Sequence, residues 1–102
     1  MNKAQFLLVK LTEECAEVSQ RALKQIQFGR YEVQKGQGFT NGERLRGELL
    51  DLFVIVKMLE ESDGFSEFTG EDFDDAYDMK KRKMQKYLDL SHELGQLEKI
   101  TL

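Results

Sequence analysis

Apolar residues recur at three- and four-residue steps through the first part of the chain: Leu7, Leu8, Leu11, Cys15, Val18, Ala22 and Ile26. That is the period of an amphipathic helix, expected over residues 3–28, with Gly29 as its stop. A second helix is expected over 42–61, beginning near Asn41, where Thr40 and Glu43 have capping-box spacing. From Leu49 to Leu59 only Asp51 and Lys57 are not apolar. The β-branched residues 54–56 would suit a strand, but the length of the segment and its leucines favour a helix. A helix that is apolar nearly all round must be covered nearly all round, which predicts a subunit interface along it. A third helix is expected over 70–94, with Thr69 as N-cap and a break near 88–91. Its acids come first (Glu71, Asp72, Asp74, Asp75) and its bases later (Lys80, Lys81, Arg82, Lys83, Lys86), which suits the helix dipole. The glycine-rich segment 29–41 reads as a long flexible connection, and 62–69 as a second loop. The tail after the third helix carries no pattern that places it. The expected architecture is all-α, with three main helices in one domain spanning 1–102.

Composition narrows the function classes. The chain has 102 residues, 33% of them charged and 40% hydrophobic, with a net charge of -4. A domain this small buries a limited share of its surface, so association is expected. The acidic balance argues against a nucleic-acid binder. One cysteine and one histidine exclude an internal disulfide and Cys- or His-based metal sites. No segment has the run of about 18 apolar residues that a membrane span requires. The opening apolar run is too short for a secretory signal, and acids follow it at once. A reducing cytoplasm is the expected location, with no membrane partner. Cys15 reads as a small core residue, and His92 as a surface residue near a helix end.

The carboxylates change the picture. Glu48 falls among Leu52, Ile55 and Leu59 on a helical wheel, and Asp51 beside Ile55 and Met58, so both lie within the apolar face. Glu14 and Glu17 have the same three-residue spacing, and Glu14 sits beside Leu7, Leu11 and Val18. A lone Glu-x-x-Glu is usually solvated surface. Two such motifs, one of them embedded in apolar sequence, are different. Burying a carboxylate without a partner costs several kcal/mol or more, so something positive has to offset four of them. Lysine or arginine is one answer. A hard divalent cation is the other, and oxygen ligands without histidine or cysteine suit Mg²⁺ or Mn²⁺. Magnesium completes its shell with substrate phosphates, which points to a phosphate-bearing substrate.

"EECAE" (13–17) and "ELLD" (48–51) match Glu-Glu-x-x-Glu and Glu-x-x-Asp on successive helices. In this the chain resembles the MazG-like all-α nucleoside triphosphate pyrophosphohydrolases, over roughly residues 5 to 88. The resemblance implies a helical bundle with a four-helix core completed by dimerisation, as a homodimer or a dimer of dimers. It implies Mg²⁺-dependent hydrolysis of a nucleoside triphosphate, a dNTP or non-canonical NTP, to monophosphate and pyrophosphate, in clearing the nucleotide pool. Glu14, Glu17, Glu48 and Asp51 would hold the metal. Glu13 would orient or deprotonate the attacking water, with Glu14 beside it in the catalytic set. Lys80 and Lys83, with Arg82, would contact phosphates. The chain departs from the family pattern in a longer spacer between Glu17 and Glu48, and in Asp78 where relatives often carry asparagine.

Phe28, Tyr31 and Phe39 are candidates to stack on the base, against the plainer reading of incidental loop aromatics. Two rivals to the enzyme stand beside it. One is a non-catalytic helical dimer whose acids pair with lysines across an interface. The other is a di-iron carboxylate bundle, which needs two Glu-x-x-His motifs; Asp89 and His92 give one poor match.

Overall fold

Three α-helices make up the computed structural model, which describes residues 1–62 and 65–102: α1 (Lys3–Phe28), α2 (Asn41–Glu61) and α3 (Gly70–Glu93). The expected loop 62–69 includes residues 63 and 64, which lie outside the described residues. No strand occurs among the described residues, so residues 54–56 are helical. Each helix opens with a closed capping box: Asn2 with Gln5, Thr40 with Glu43, and Thr69 with Asp72. The first residue of each pair accepts from a backbone N–H of the first turn. The second accepts from the N-cap's own N–H, so two otherwise free donors are satisfied.

Gly29 ends α1 with φ 94°, a conformation that side chains with a Cβ rarely adopt. α3 runs unbroken to Glu93, so the break expected near 88–91 does not occur. Nothing in that stretch forces one. It contains neither proline nor glycine, and the Gln85 amide donates to Asp89 Oδ1 across 3.0 Å, one turn on. The helix stops where Gly95 takes φ 75°. There the Gly95 N–H donates to the His92 carbonyl at 2.9 Å, and the Gln96 N–H to that of Ser91 at 3.0 Å. This is the Schellman pattern of a helix end.

The chain divides into two compact units, Met1–Glu67 and Phe68–Leu102. In the first, α1 and α2 pack against each other. They run antiparallel. Asn41, at the start of α2, donates from Nδ2 to the carbonyl of Gly29 (2.9 Å) and to Glu32 Oε1 (3.2 Å). Glu48 in mid-α2 meets Glu14 and Glu17 in mid-α1. The core between the helices is small: Leu7 and Leu59 are buried, and Leu11, Val18, Ala22, Leu52 and Ile55 are half-buried.

The glycine-rich connection is tied down over its first half. Asn41 N–H donates to the Glu32 carbonyl and Gly42 N–H to that of Arg30, both at 2.9 Å. Arg44 Nη1 reaches Gln34 Oε1 at 3.0 Å. Gly42 allows this approach, since a Cβ there would lie 2.8 Å from Arg30 Cγ and 3.3 Å from the Arg30 carbonyl oxygen. Cys15 is exposed, not the core residue its spacing suggested. The reason is geometric: one partner helix covers a narrower stripe than the apolar face that α1 offers. Leu8 and Ile26 are left exposed for the same reason, and Leu50, Phe53 and Val54 on α2 likewise.

In the second unit the tail that the sequence left unplaced folds back along α3. The Gln85 amide holds it from both ends of one peptide stretch. Its Nε2 donates to the Ile100 carbonyl and its Oε1 accepts from Leu102 N–H, each at 2.8 Å. His92 Nδ1 lies 3.0 Å from the Leu97 carbonyl, which can only accept, so this nitrogen carries the proton.

Candidate metal centre

Glu14 and Glu17 are one turn apart on α1, and the antiparallel packing brings Glu48 of α2 opposite them. One carboxylate oxygen of each lies within 4.8 Å of the others. Glu14 and Glu48 are half-buried and Glu17 is exposed. Exposed acids often gather without a metal. What distinguishes this group is that Glu14 Oε2 and Glu48 Oε2 are buried and have no hydrogen-bond partner. A buried polar atom left unsatisfied costs about 1–3 kcal/mol, and more when charged.

The electrostatics agree. The Glu17 carboxyl is held above the ordinary glutamate range, first by a hydrogen bond with Glu48 and then by its negative charge. Partial desolvation and the charges of Glu13 and Asp51 push the same way. The site therefore gathers carboxylates that repel one another. No protein cation offsets this repulsion: the ion pairs among the described residues are Lys10–Glu13 at 3.1 Å, and Lys57 with Glu60 at 3.7 Å and with Glu67 at 3.9 Å. The donor set, all carboxylate oxygen, fits a hard divalent cation.

Of the four expected ligands, three converge. Asp51 is exposed, one turn beyond Glu48, and outside the close group, though near enough for its charge to act on Glu17. Glu13 points elsewhere, toward Lys10. Arg21, which the sequence reading passed over, has a buried Nη1 with no partner. It stands four residues after Glu17 and seven after Glu14, on the same side of α1. That spacing is the signal that would have found it.

Lys80, Arg82 and Lys83 belong to the second unit. Lys80 lines a cleft of about 550 Å³ with Phe73, Tyr77, Lys81 and Met84. Arg82 lines another, of about 430 Å³, with Asp78 and Gln85. Residues two apart on a helix do not face the same way, so Lys80 and Arg82 do not form one cluster, whereas Lys80 and Lys83 share a side. The aromatic candidates Phe28, Tyr31 and Phe39 are all exposed. Lys24 lies over the Phe28 ring and Arg30 over the Tyr31 ring, each 5.4 Å from the centroid.

No protein-family model matches the chain, and no curated protein or solved structure does. Among the described residues no helix is long and apolar enough to cross a membrane.

Proposed function

We propose that the protein is a Mg²⁺-dependent nucleoside triphosphate pyrophosphohydrolase. It would cut the bond between the α and β phosphates of a dNTP or non-canonical NTP and serve to clear the nucleotide pool. One observation carries this reading: Glu14, Glu17 and Glu48 bring three carboxylate oxygens within 4.8 Å, and Glu14 Oε2 and Glu48 Oε2 are buried and unpartnered. The paired motifs "EECAE" and "ELLD" support it by resemblance.

Glu14, Glu17 and Glu48 would hold Mg²⁺ (or Mn²⁺), and Asp51 would add a fourth carboxylate from the next turn of α2. When bound, the ion neutralises phosphate charge and lowers the pKa of a coordinated water. The residues of this chain supply position and charge, which is most of what phosphoryl chemistry asks of a protein. Glu13, which pairs with Lys10 here, would have to leave that pair to orient or deprotonate the attacking water, with Glu14 beside it in the catalytic set. By resemblance, Lys80 and Lys83 of the second unit are the candidates for phosphate contacts, with Arg82, and Phe28, Tyr31 and Phe39 are candidates to meet the base. The exposed apolar residues Leu50, Phe53 and Val54 on α2 support a homodimer or dimer of dimers.

A panel of nucleoside triphosphates incubated with Mg²⁺ and scored for products tests the assignment. Equimolar pyrophosphate and monophosphate are expected. Orthophosphate as the sole inorganic product would mean that a different bond is cut. No turnover of any triphosphate, with no response to the metal, would favour the non-catalytic helical dimer.

A further inference from the structure

Arg21 is half-buried, and its Nη1 is closed off from solvent without a hydrogen-bond partner. Guanidinium is a strong donor that stays charged at any pH the fold survives, so it cannot relieve an unmet donor by losing a proton. The obvious partner is absent. Glu17 lies four residues earlier, at the spacing where acid followed by base pairs across a helix turn. Yet Arg21 is in none of the ion pairs among the described residues, with Glu17 or with any other acid. A cation one helical turn along α1 from the carboxylates, and in no ion pair with them, can take an anion that the carboxylates do not supply.

We infer that Arg21 binds a phosphate oxygen of the substrate. The inference rests on the pyrophosphohydrolase reading and deepens it, by placing a substrate contact on α1 itself, one turn from the carboxylates. Helix α1 then carries both signs in order: acids at 14 and 17 for the cation, and a base at 21 for the phosphate that shares it. The arrangement suits a metal–phosphate complex better than either ion alone. The planar fork of arginine can hold two phosphate oxygens by parallel N–H bonds, a geometry that lysine does not reproduce.

The test measures binding of the four α,β-methylene deoxynucleoside triphosphates, which resist cleavage at that bond, by calorimetry with Mg²⁺. Arg21→Gln and Arg21→Lys are compared with the wild type, with melting in Mg²⁺ alone as a parallel readout. Loss of one charge-assisted hydrogen bond predicts that Arg21→Gln weakens nucleotide binding roughly 10- to 100-fold. Arg21→Lys should fall between, and both variants should keep the wild-type stabilisation by Mg²⁺. Wild-type affinity in Arg21→Gln would overturn the role of Arg21 and leave the carboxylate reading standing. Joint loss of nucleotide binding and the Mg²⁺ response in both variants would overturn it too, since Arg21 would then be supporting the carboxylates. A wild type that binds none of the four analogues would overturn the inference together with the proposed function.

Discussion

Glu17 and Glu48 bring carboxylate oxygens within 4.8 Å of each other across the two packed helices, and the neighbouring Glu48 carboxyl is the largest cause of the raised Glu17 pKa. The pairing joins two segments thirty-one positions apart in sequence, and it makes the stability of the metal-free protein depend on pH.

A carboxyl whose folded pKa lies above its unfolded value holds its proton more tightly in the folded state. Folding stability is then greatest below the unfolded pKa and falls as pH rises through the folded one. Metal-free protein should therefore lose stability as pH climbs from the ordinary glutamate range to the raised value of Glu17. Glu17→Gln should flatten that decline. Urea melts across this window, with chelator present, give the comparison.

The capping carboxylates behave in the opposite sense. The backbone N–H of Thr40 holds Glu43 below the ordinary range, and that of Thr69 does the same for Asp72. Their contribution is complete above the unfolded pKa and is lost as pH falls through the lowered folded value. Thr40→Ala should cost about 1 kcal/mol, typical of an N-cap, and should shrink the acid-side loss at Glu43. Denaturant melts near neutral pH and at acid pH measure both effects.

Asn41 is 2% exposed, and its amide ties the end of α1 to the start of α2. Asn41→Ala leaves the Gly29 carbonyl without that donor and should destabilise the protein by about 1–3 kcal/mol. Backbone amide exchange should rise over residues 30–42, where the loop leans on the same turn of α2. Unchanged exchange there would mean that the loop is held by its backbone bonds alone.

Gln85 is the sole side chain among the described residues that bonds both the Ile100 carbonyl and the Leu102 N–H. Gln85→Ala should free residues 98–102 from α3 and speed proteolysis there, while α3 itself keeps its helicity. Proteolytic mapping with circular dichroism separates the two effects.

The sequence carried the helices well because local chemistry defines their ends. The Thr40–Glu43 pair and Thr69 are readable as caps, and Gly29 as a stop. Glu14, Glu17 and Glu48 drew notice in the sequence because carboxylates within an apolar pattern contradict their surroundings, and the fold brings these three together. Asp51 was placed among the apolar residues because the wheel assumes a fully covered face, and α1 alone covers a narrower stripe. Cys15 was misjudged on the same assumption. Arg21 was missed because an arginine on a helix looks solvated until its guanidinium is found without a partner. The tail was illegible because two side chains, Gln85 and His92, and no periodic pattern, hold it to α3.

The central claim is that Glu14, Glu17 and Glu48 form a divalent-cation site. Thermal melting of the wild type and of Glu48→Gln across a Mg²⁺ titration tests it most directly. The wild type should gain stability with metal, about 2.7 kcal/mol once Mg²⁺ stands a hundredfold above its Kd. Glu48→Gln relieves the carboxylate repulsion, so it should melt no lower than the wild type without metal and gain nothing when metal is added. A wild-type melting curve indifferent to Mg²⁺ and Mn²⁺, or a Glu48→Gln variant that responds as the wild type does, would contradict the claim.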